Sequence, residues 1–313
     1  MATKIVTMNM DDGSAERIRA VSDQVELIVA GSEEKFEEEL PSADILIGDV
    51  RPKYFPEARR VRWMAYYSAG IDFLMSPEIK ESDVIITTAK GFVGIHLAEH
   101  AFALILGLTR DVALVTRNAS WSNNRLMAHE LIDSTMGIIG LGGAGRETAK
   151  RAHAFGMRVL AVDPMPATVP DYVEACWDLD RFHDLLEVSD VVVICAPLTP
   201  ETEEMFNREA FRQMQSHALL INVSRGRIVN EAALMDALEQ GLIAGAGLDV
   251  LPVEPVTDDH PLWKMENVII TPHMAGNSPM RGPRWMDTFC ENLKRFMMGD
   301  DDLLSRFDQT KGY

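Results

Sequence analysis

Three side chains stand where apolar, β-branched runs end, and their types suit acid–base work on a polarised carbonyl. NVIITPHMAG (267–276) runs a strand into Thr271-Pro272-His273. Proline cannot extend a sheet ladder, so an imidazole is delivered at a strand end. INVSRGRIVN (221–230) places Arg225 just past a second strand. GLDVLPVEP (247–255) puts Asp249 at the end of a third, with Glu254 five residues on. Reducing a carbonyl with hydride requires a proton donor at the forming alkoxide, and histidine is the commonest such group. A carboxylate beside it, here Glu254, raises its pKa, keeps it protonated near neutrality and fixes its tautomer. A guanidinium grips a carboxylate in a bidentate fork and polarises the adjacent carbonyl, which is the part expected of Arg225. Taken singly, such a histidine is more often structural, Arg225 could merely hold its turn, and Glu254 could cap one. What reverses that preference is a glycine motif upstream.

Gly140-Leu141-Gly142-Gly143-Ala144-Gly145 fits G-x-G-x-x-G between an apolar strand, TMGIIGLG, and a helical run, GAGRETAKRAHAFG. That context is the one a dinucleotide fingerprint needs. Gly140 permits the tight turn, Gly142 lets backbone N–H groups approach a pyrophosphate, and Gly145 allows close helix–sheet packing. The helix N-terminus adds the positive end of its dipole. The next strand ends in Asp163, 18 residues past Gly145. A carboxylate there accepts both ribose hydroxyls and repels a 2′-phosphate, and Pro164 and Met165 follow it rather than an arginine. NAD is therefore expected over NADP. No metal is expected, since Cys176, Cys195 and Cys290 lack ligand spacing.

Alternating short β-rich runs and helical patterns must position these groups. KIVTM, VELIVA, DILIGD, RWMAYYS and DVIITT read as strands of a first parallel sheet, with helices DDGSAERIRAVSD and EEKFEEEL among them. GIHLAEHAFALILGLTRDVALVTRNAS reads as one long buried helix. A second alternation then yields six strands, from TMGIIGLG to NVIIT, and DTFCENLKRFMMG reads as a terminal amphipathic helix. The fold class expected is α/β, with two Rossmann-like or flavodoxin-like doubly wound parallel-sheet domains. Residues 1–97 plus 287–313 form the expected substrate domain and 98–286 the NAD-binding domain, with cofactor and active site in the cleft between them.

Composition narrows the partners. The 313 residues carry a formal charge of −18, which argues against nucleic-acid and anionic-membrane surfaces. Part of that charge lies in GSEEKFEEEL, where Lys35 and Glu39 are spaced to pair one helical turn apart. No run approaches the ~20 apolar residues of a membrane span. The opening residues read as a strand rather than a signal peptide, and reduced thiols suit a cytoplasmic protein. Among the other histidines, His129, His153, His183, His217 and His260 read as structural or surface residues. His96 and His100 also read as structural, with His96 within possible reach of the cofactor.

With these residues in hand, the sequence resembles the D-isomer-specific 2-hydroxyacid dehydrogenases over its whole length. The matching stretches are YSAGID, LAEHAFALILGLTR, GIIGLGGAG, APLTPET, INVSRGRIVNEAAL, GLDVLPVEP and NVIITPHMAG. The resemblance implies that Arg225, Glu254 and His273 form the catalytic set. It also implies that backbone N–H groups around Ala69 and Gly70 hold the substrate carboxylate, that Asp249 binds the nicotinamide carboxamide, and that Pro197 lines the cofactor groove. Together with Gly140, Gly142, Gly143, Ala144, Gly145 and Asp163, these complete the expected NAD contacts. A homodimer acting on a small 2-oxo acid or D-2-hydroxy acid is the implied assembly and reaction. Ala144 departs from the bulky aliphatic residue of many relatives, and KGFVGIH differs from their Asn/Pro-rich version. Two other functions compete: an NAD(H)-sensing corepressor-like binding protein, and a phosphorylated or sugar-acid dehydrogenase in which Arg51 and Lys53 read a second anionic group.

Overall fold

The computed structural model describes residues 2–309 apart from 49, 72, 73, 75, 119–128 and 167. The chain divides into two compact units, residues 1–92 with 278–313 and residues 93–277.

In the first unit, strands β1 (Thr3–Thr7), β2 (Val25–Val29), β3 (Ile45–Ile47), β4 (Trp63–Ala65) and β5 (Ile85–Thr87) form one parallel sheet in the order β2-β1-β3-β4-β5. This is the flavodoxin-like winding. Helices α1 (Asp12–Arg19), α2 (Glu33–Glu39) and α3 (Pro77–Lys80) connect the strands. Side chains alternate across the sheet, as the two-residue period of a strand requires. Val6, Leu46, Met64 and Ile86 pack with Phe36, Leu40, Tyr54 and Ile79. Trp63 points the other way and stacks on Phe289 of the C-terminal helix (Arg281–Met297), ring centroids 4.9 Å apart. That helix begins six residues earlier than its amphipathic pattern suggested. The Lys35–Glu39 pairing is corrected: Glu39 Oε2 meets Lys4 Nζ at 2.5 Å, because β1 brings a second lysine within reach.

The second unit holds seven parallel strands: β6 (Thr135–Ile139), β7 (Arg158–Val162), β8 (Ala175–Trp177), β9 (Val191–Ile194), β10 (Leu219–Asn222), β11 (Gly245–Leu248) and β12 (Val268–Ile270). Their order, β12-β11-β10-β9-β6-β7-β8, is the dinucleotide-binding winding with one further strand, and it reverses between β6 and β9. Helices α4 (Gly94–Thr109), α5 (Val112–Asn118), α6 (Gly143–Ala154), α7 (Phe182–Val188), α8 (Arg208–Gln213) and α9 (Glu231–Glu239) complete it. Met136, Ile138, Val191, Val193 and Ile221 bury one face against α4 and α6. Ile139, Val192, Ile194, Leu220 and Leu248 bury the other against α7, α8 and α9. Burial on both faces accounts for the near-continuous apolar runs of these strands.

Two expectations change here. The sheet has seven strands rather than six, because the three-residue edge strand Ala175–Trp177 is too short and too lightly buried to show a pattern. The long helix after residue 93 is two helices. Asp111, with φ of +55°, turns the chain into the left-handed region between α4 and α5, a conformation aspartate tolerates better than most residues.

Candidate active site

The glycine motif and β9 meet where the strand order reverses. Leaving β6, Gly140 adopts φ of +92°, and a Cβ there would lie 2.7 Å from both Cα and N of Ala196. Only glycine satisfies both demands. At Gly145 a Cβ would stand 2.0 Å from the Gly140 carbonyl oxygen, so α6 lies directly on the turn. Gly142 is the opposite case: it caps α6, and a Cβ there would meet nothing within 4 Å. Open space thus lies against the unsatisfied amides of the helix's first turn, which includes Gly143 and Ala144. A further glycine was missed: Gly94 opens α4, and its Cβ would stand 2.5 Å from the Gly143 carbonyl oxygen.

Asp163 follows β7 and turns its carboxylate back toward the motif. Oδ2 accepts from the Leu141 amide at 2.7 Å and Oδ1 from the Met165 amide at 2.9 Å. Each oxygen keeps a lone pair for a further donor. Pro197, three residues past β9, is half-buried and its carbonyl accepts from Thr202 Oγ1 at 2.7 Å. Cys195, at the exit of β9, has its thiol pushed up to about 12 by burial, which outweighs the lowering by a hydrogen bond with Thr148.

At the exit of β12 the expected pair forms. His273 Nδ1 lies 2.7 Å from Glu254 Oε2, and Glu254 Oε1 accepts from the Leu251 amide at 3.0 Å. An ionised carboxylate only accepts, so Nδ1 carries the hydrogen of that bond and Nε2 is the nitrogen left for a reacting group. The imidazole is half exposed, at 51% of its side-chain surface.

His273 occupies left-handed backbone, φ +49°, at a cost of about 1 kcal/mol or more. Asp249 offsets that cost by holding three successive amides. Its carbonyl accepts from His273 N at 2.8 Å, its Oδ1 from Met274 N at 2.9 Å, and its Oδ2 from Ala275 N at 2.9 Å. Burial alone would raise the pKa of this carboxyl, but His100, Thr271 and the Ala275 and Met274 amides together hold it below the ordinary aspartate value. Asp249 therefore stays ionised within the protein.

Arg225 follows β10 and is half-buried, with Nη1 donating to the Ser224 carbonyl at 2.9 Å. Its neighbour Gly226 ties it to the Glu254 loop: a Cβ at Gly226 would stand 1.9 Å from the Leu251 carbonyl carbon. Since Leu251 also donates to Glu254, the arginine turn, the glutamate and the histidine form one packed series. Ala69 and Gly70 lie in the first unit, half-buried in the turn after β4. Lys53, considered for a second anionic group, is paired with Glu33, and Arg51 is exposed. His217 and His260 have partners that sequence did not supply, Asp190 at 2.6 Å and Glu231 at 3.3 Å. His100, read as structural, reaches Asp249 and Thr271. Sequence offers little to single it out, because α4 also carries His96 and Glu99.

Comparisons with known proteins identify relatives of the chain. The family model "D-isomer specific 2-hydroxyacid dehydrogenase, NAD binding domain" matches residues 102–275. A glyoxylate reductase of Korarchaeum cryptofilum is 34% identical over 264 residues, covering 82% of this chain and 79% of the relative. A hydroxypyruvate reductase of Thermotoga maritima is 32% identical over 248 residues, 76% of this chain and 80% of the relative. Among solved structures, a D-isomer specific 2-hydroxyacid dehydrogenase from Xanthobacter autotrophicus, in complex with NADPH and MES, superposes with a TM-score of 0.86 at 26% identity, covering 100% of both chains. The chain belongs to the D-isomer-specific 2-hydroxyacid dehydrogenase family, and so to the NAD(P)-dependent hydroxyacid dehydrogenases.

Proposed function

We propose that this protein reduces small 2-oxo acids to D-2-hydroxy acids with NADH, and that His273 delivers the proton. The observation that carries the reading is the 2.7 Å contact of His273 Nδ1 with Glu254 Oε2 at the exit of β12. The reduced nicotinamide, when bound, supplies the hydride. His273 Nε2 holds the proton that passes to the carbonyl oxygen as it becomes an alkoxide, and takes it back in the oxidative direction. Glu254 fixes the tautomer and balances the imidazolium charge. Arg225 binds the substrate carboxylate and polarises the adjacent carbonyl. The Ala69 and Gly70 amides, in the unit assigned to substrate binding, are given to the same carboxylate on the family resemblance. Pairing of Lys53 with Glu33 favours monoanionic acids over phosphorylated ones.

The second unit is assigned to the coenzyme. The open space at Gly142, beside the first-turn amides Gly143 and Ala144, fits a pyrophosphate, and the closures at Gly140 and Gly145 shape that cradle. Asp163 offers an acceptor on each oxygen for ribose hydroxyls and would repel a 2′-phosphate, which favours NADH. Pro197 is given to the cofactor groove and Asp249 to the nicotinamide carboxamide on the family resemblance. A homodimer is supported by α5, none of whose residues is buried and whose Val112 and Val115 are 56% and 46% exposed. The test is NADH and NADPH oxidation with glyoxylate, hydroxypyruvate, pyruvate, oxaloacetate and phenylpyruvate, with the product's configuration determined. Turnover of at least one acid, preferring NADH and yielding the D-isomer, is expected. Coenzyme binding with no turnover of any of them would reject the reading.

A further inference from the structure

His100 lies in the middle of α4, a buried sixteen-residue helix whose Ala98, Ala101, Phe102, Leu104 and Ile105 are core residues. Its ring leaves that apolar setting for one purpose. Nε2 stands 2.8 Å from Thr271 Oγ1 and 3.3 Å from Asp249 Oδ1, while Thr271 Oγ1 stands 2.6 Å from the same carboxylate oxygen. Counting protons orients the series. The ionised carboxylate has none to give, so Thr271 donates its single hydroxyl hydrogen to Asp249. The threonine oxygen is then an acceptor toward His100, which must carry its hydrogen on Nε2. The direction is His100 Nε2–H to Thr271 Oγ1–H to Asp249 Oδ1.

Asp249 accepts from the 273 amide with its backbone carbonyl and from the 274 and 275 amides with its two carboxylate oxygens. The Met274 and Ala275 amides thus hang on one buried carboxylate, and that carboxylate also meets a side chain on a packed helix. We propose that His100 is a positioning residue, anchoring the 273–275 loop through Thr271 and Asp249 and so setting where His273 presents Nε2. It touches no reacting atom. The inference rests on the reading of His273 as the acid–base group, and its test is built to separate the two.

Two variants suffice. His100→Ala removes the donor, whereas His100→Gln places an amide N–H near the position of Nε2. The readouts are hydrogen–deuterium exchange of the peptide spanning 271–277, kcat and KM for reduction of glyoxylate or whichever acid is turned over, and thermal unfolding to establish that each variant folds. In His100→Ala, exchange at 274 and 275 is expected to quicken about tenfold. Its kcat is expected to fall about 10- to 100-fold, the scale of a misplaced catalytic group, with the coenzyme KM little changed. His100→Gln should recover most of both. Unchanged exchange in a folded His100→Ala overturns the proposal, as does a His100→Gln no better than alanine. Quickened exchange with undiminished kcat overturns it if His273→Ala is inactive. If His273→Ala is itself active, the anchoring stands and the proton-donor reading falls.

Discussion

Gly226 is where the account is most exposed to a single methyl group. Its backbone lies against Leu251 and Pro252 so closely that a Cβ would stand 1.9 Å from the Leu251 carbonyl carbon, 2.1 Å from its oxygen and 2.4 Å from Pro252 N. Moving 1.9 Å out to the 3.4 Å at which ordinary contact begins requires about 1.5 Å of separation. Every conflicting atom is backbone, so no rotamer change relieves it, and the cost should reach the upper part of the about 1–3 kcal/mol range for overpacking. At about 2–4 °C per kcal/mol, Gly226→Ala should melt about 6–12 °C below wild type. The same movement shifts Arg225 relative to the loop bearing Glu254, and a misplacement near 1 Å costs about 10²-fold in rate. The assay is steady-state NADH oxidation with glyoxylate alongside thermal scanning, with a fluorescence titration of NADH. A rise in substrate KM and a fall in kcat are expected, with coenzyme binding retained. Arg225→Lys, which leaves the turn intact, should lose activity without the thermal penalty and so separates the guanidinium from the fold. A Gly226→Ala protein that melts and turns over like wild type would refute the claim that this contact sets the site.

Three further outcomes follow from the same contacts. Glu254→Gln keeps an acceptor for the Leu251 amide but no longer compels hydrogen onto His273 Nδ1, and kcat should drop about 10²- to 10⁴-fold at unchanged fold, measured by initial rates. Asp163→Ser removes the carboxylate proposed to bind the ribose, so the KM for NADH should rise about tenfold and the ratio of NADH to NADPH efficiency should fall. Parallel titrations with both coenzymes check this. Asp249 has a folded value held below its ordinary 3.8, so its contribution to stability is complete above that value and is lost as pH falls through the lower folded one. Unfolding midpoints measured from pH 7 downward should show the wild type's margin over Asp249→Asn vanishing only in strong acid. A margin constant with pH would place the carboxylate's benefit elsewhere.

What sequence could show of this protein follows physical range. Strand ends were legible because β12 stops at Thr271-Pro272, where the ladder must end, and the β6 turn was legible because its glycines are spaced for a phosphate. The pairing of His273 with Glu254 was inferred from two residue types at neighbouring strand ends, and the 2.7 Å contact fits that inference. Edge strand β8 was missed because three half-buried residues carry no periodicity. The break at Asp111 was missed because apolar spacing continues across it while one φ reverses. His100 and Gly226 were invisible for another reason. Their partners lie 171 residues away at Thr271 and, beyond α9 and β11, at Leu251, and neither contact leaves a local pattern.

The central claim is that His273 supplies the proton, and the most direct measurement is the rate of 2-oxo acid reduction by His273→Gln at saturating NADH, with NADH affinity determined on the same preparation. A loss of at least about 10²-fold in kcat is expected, with coenzyme affinity within a few-fold of wild type. A variant that binds NADH normally and still reduces the acid at a rate near wild type would contradict it.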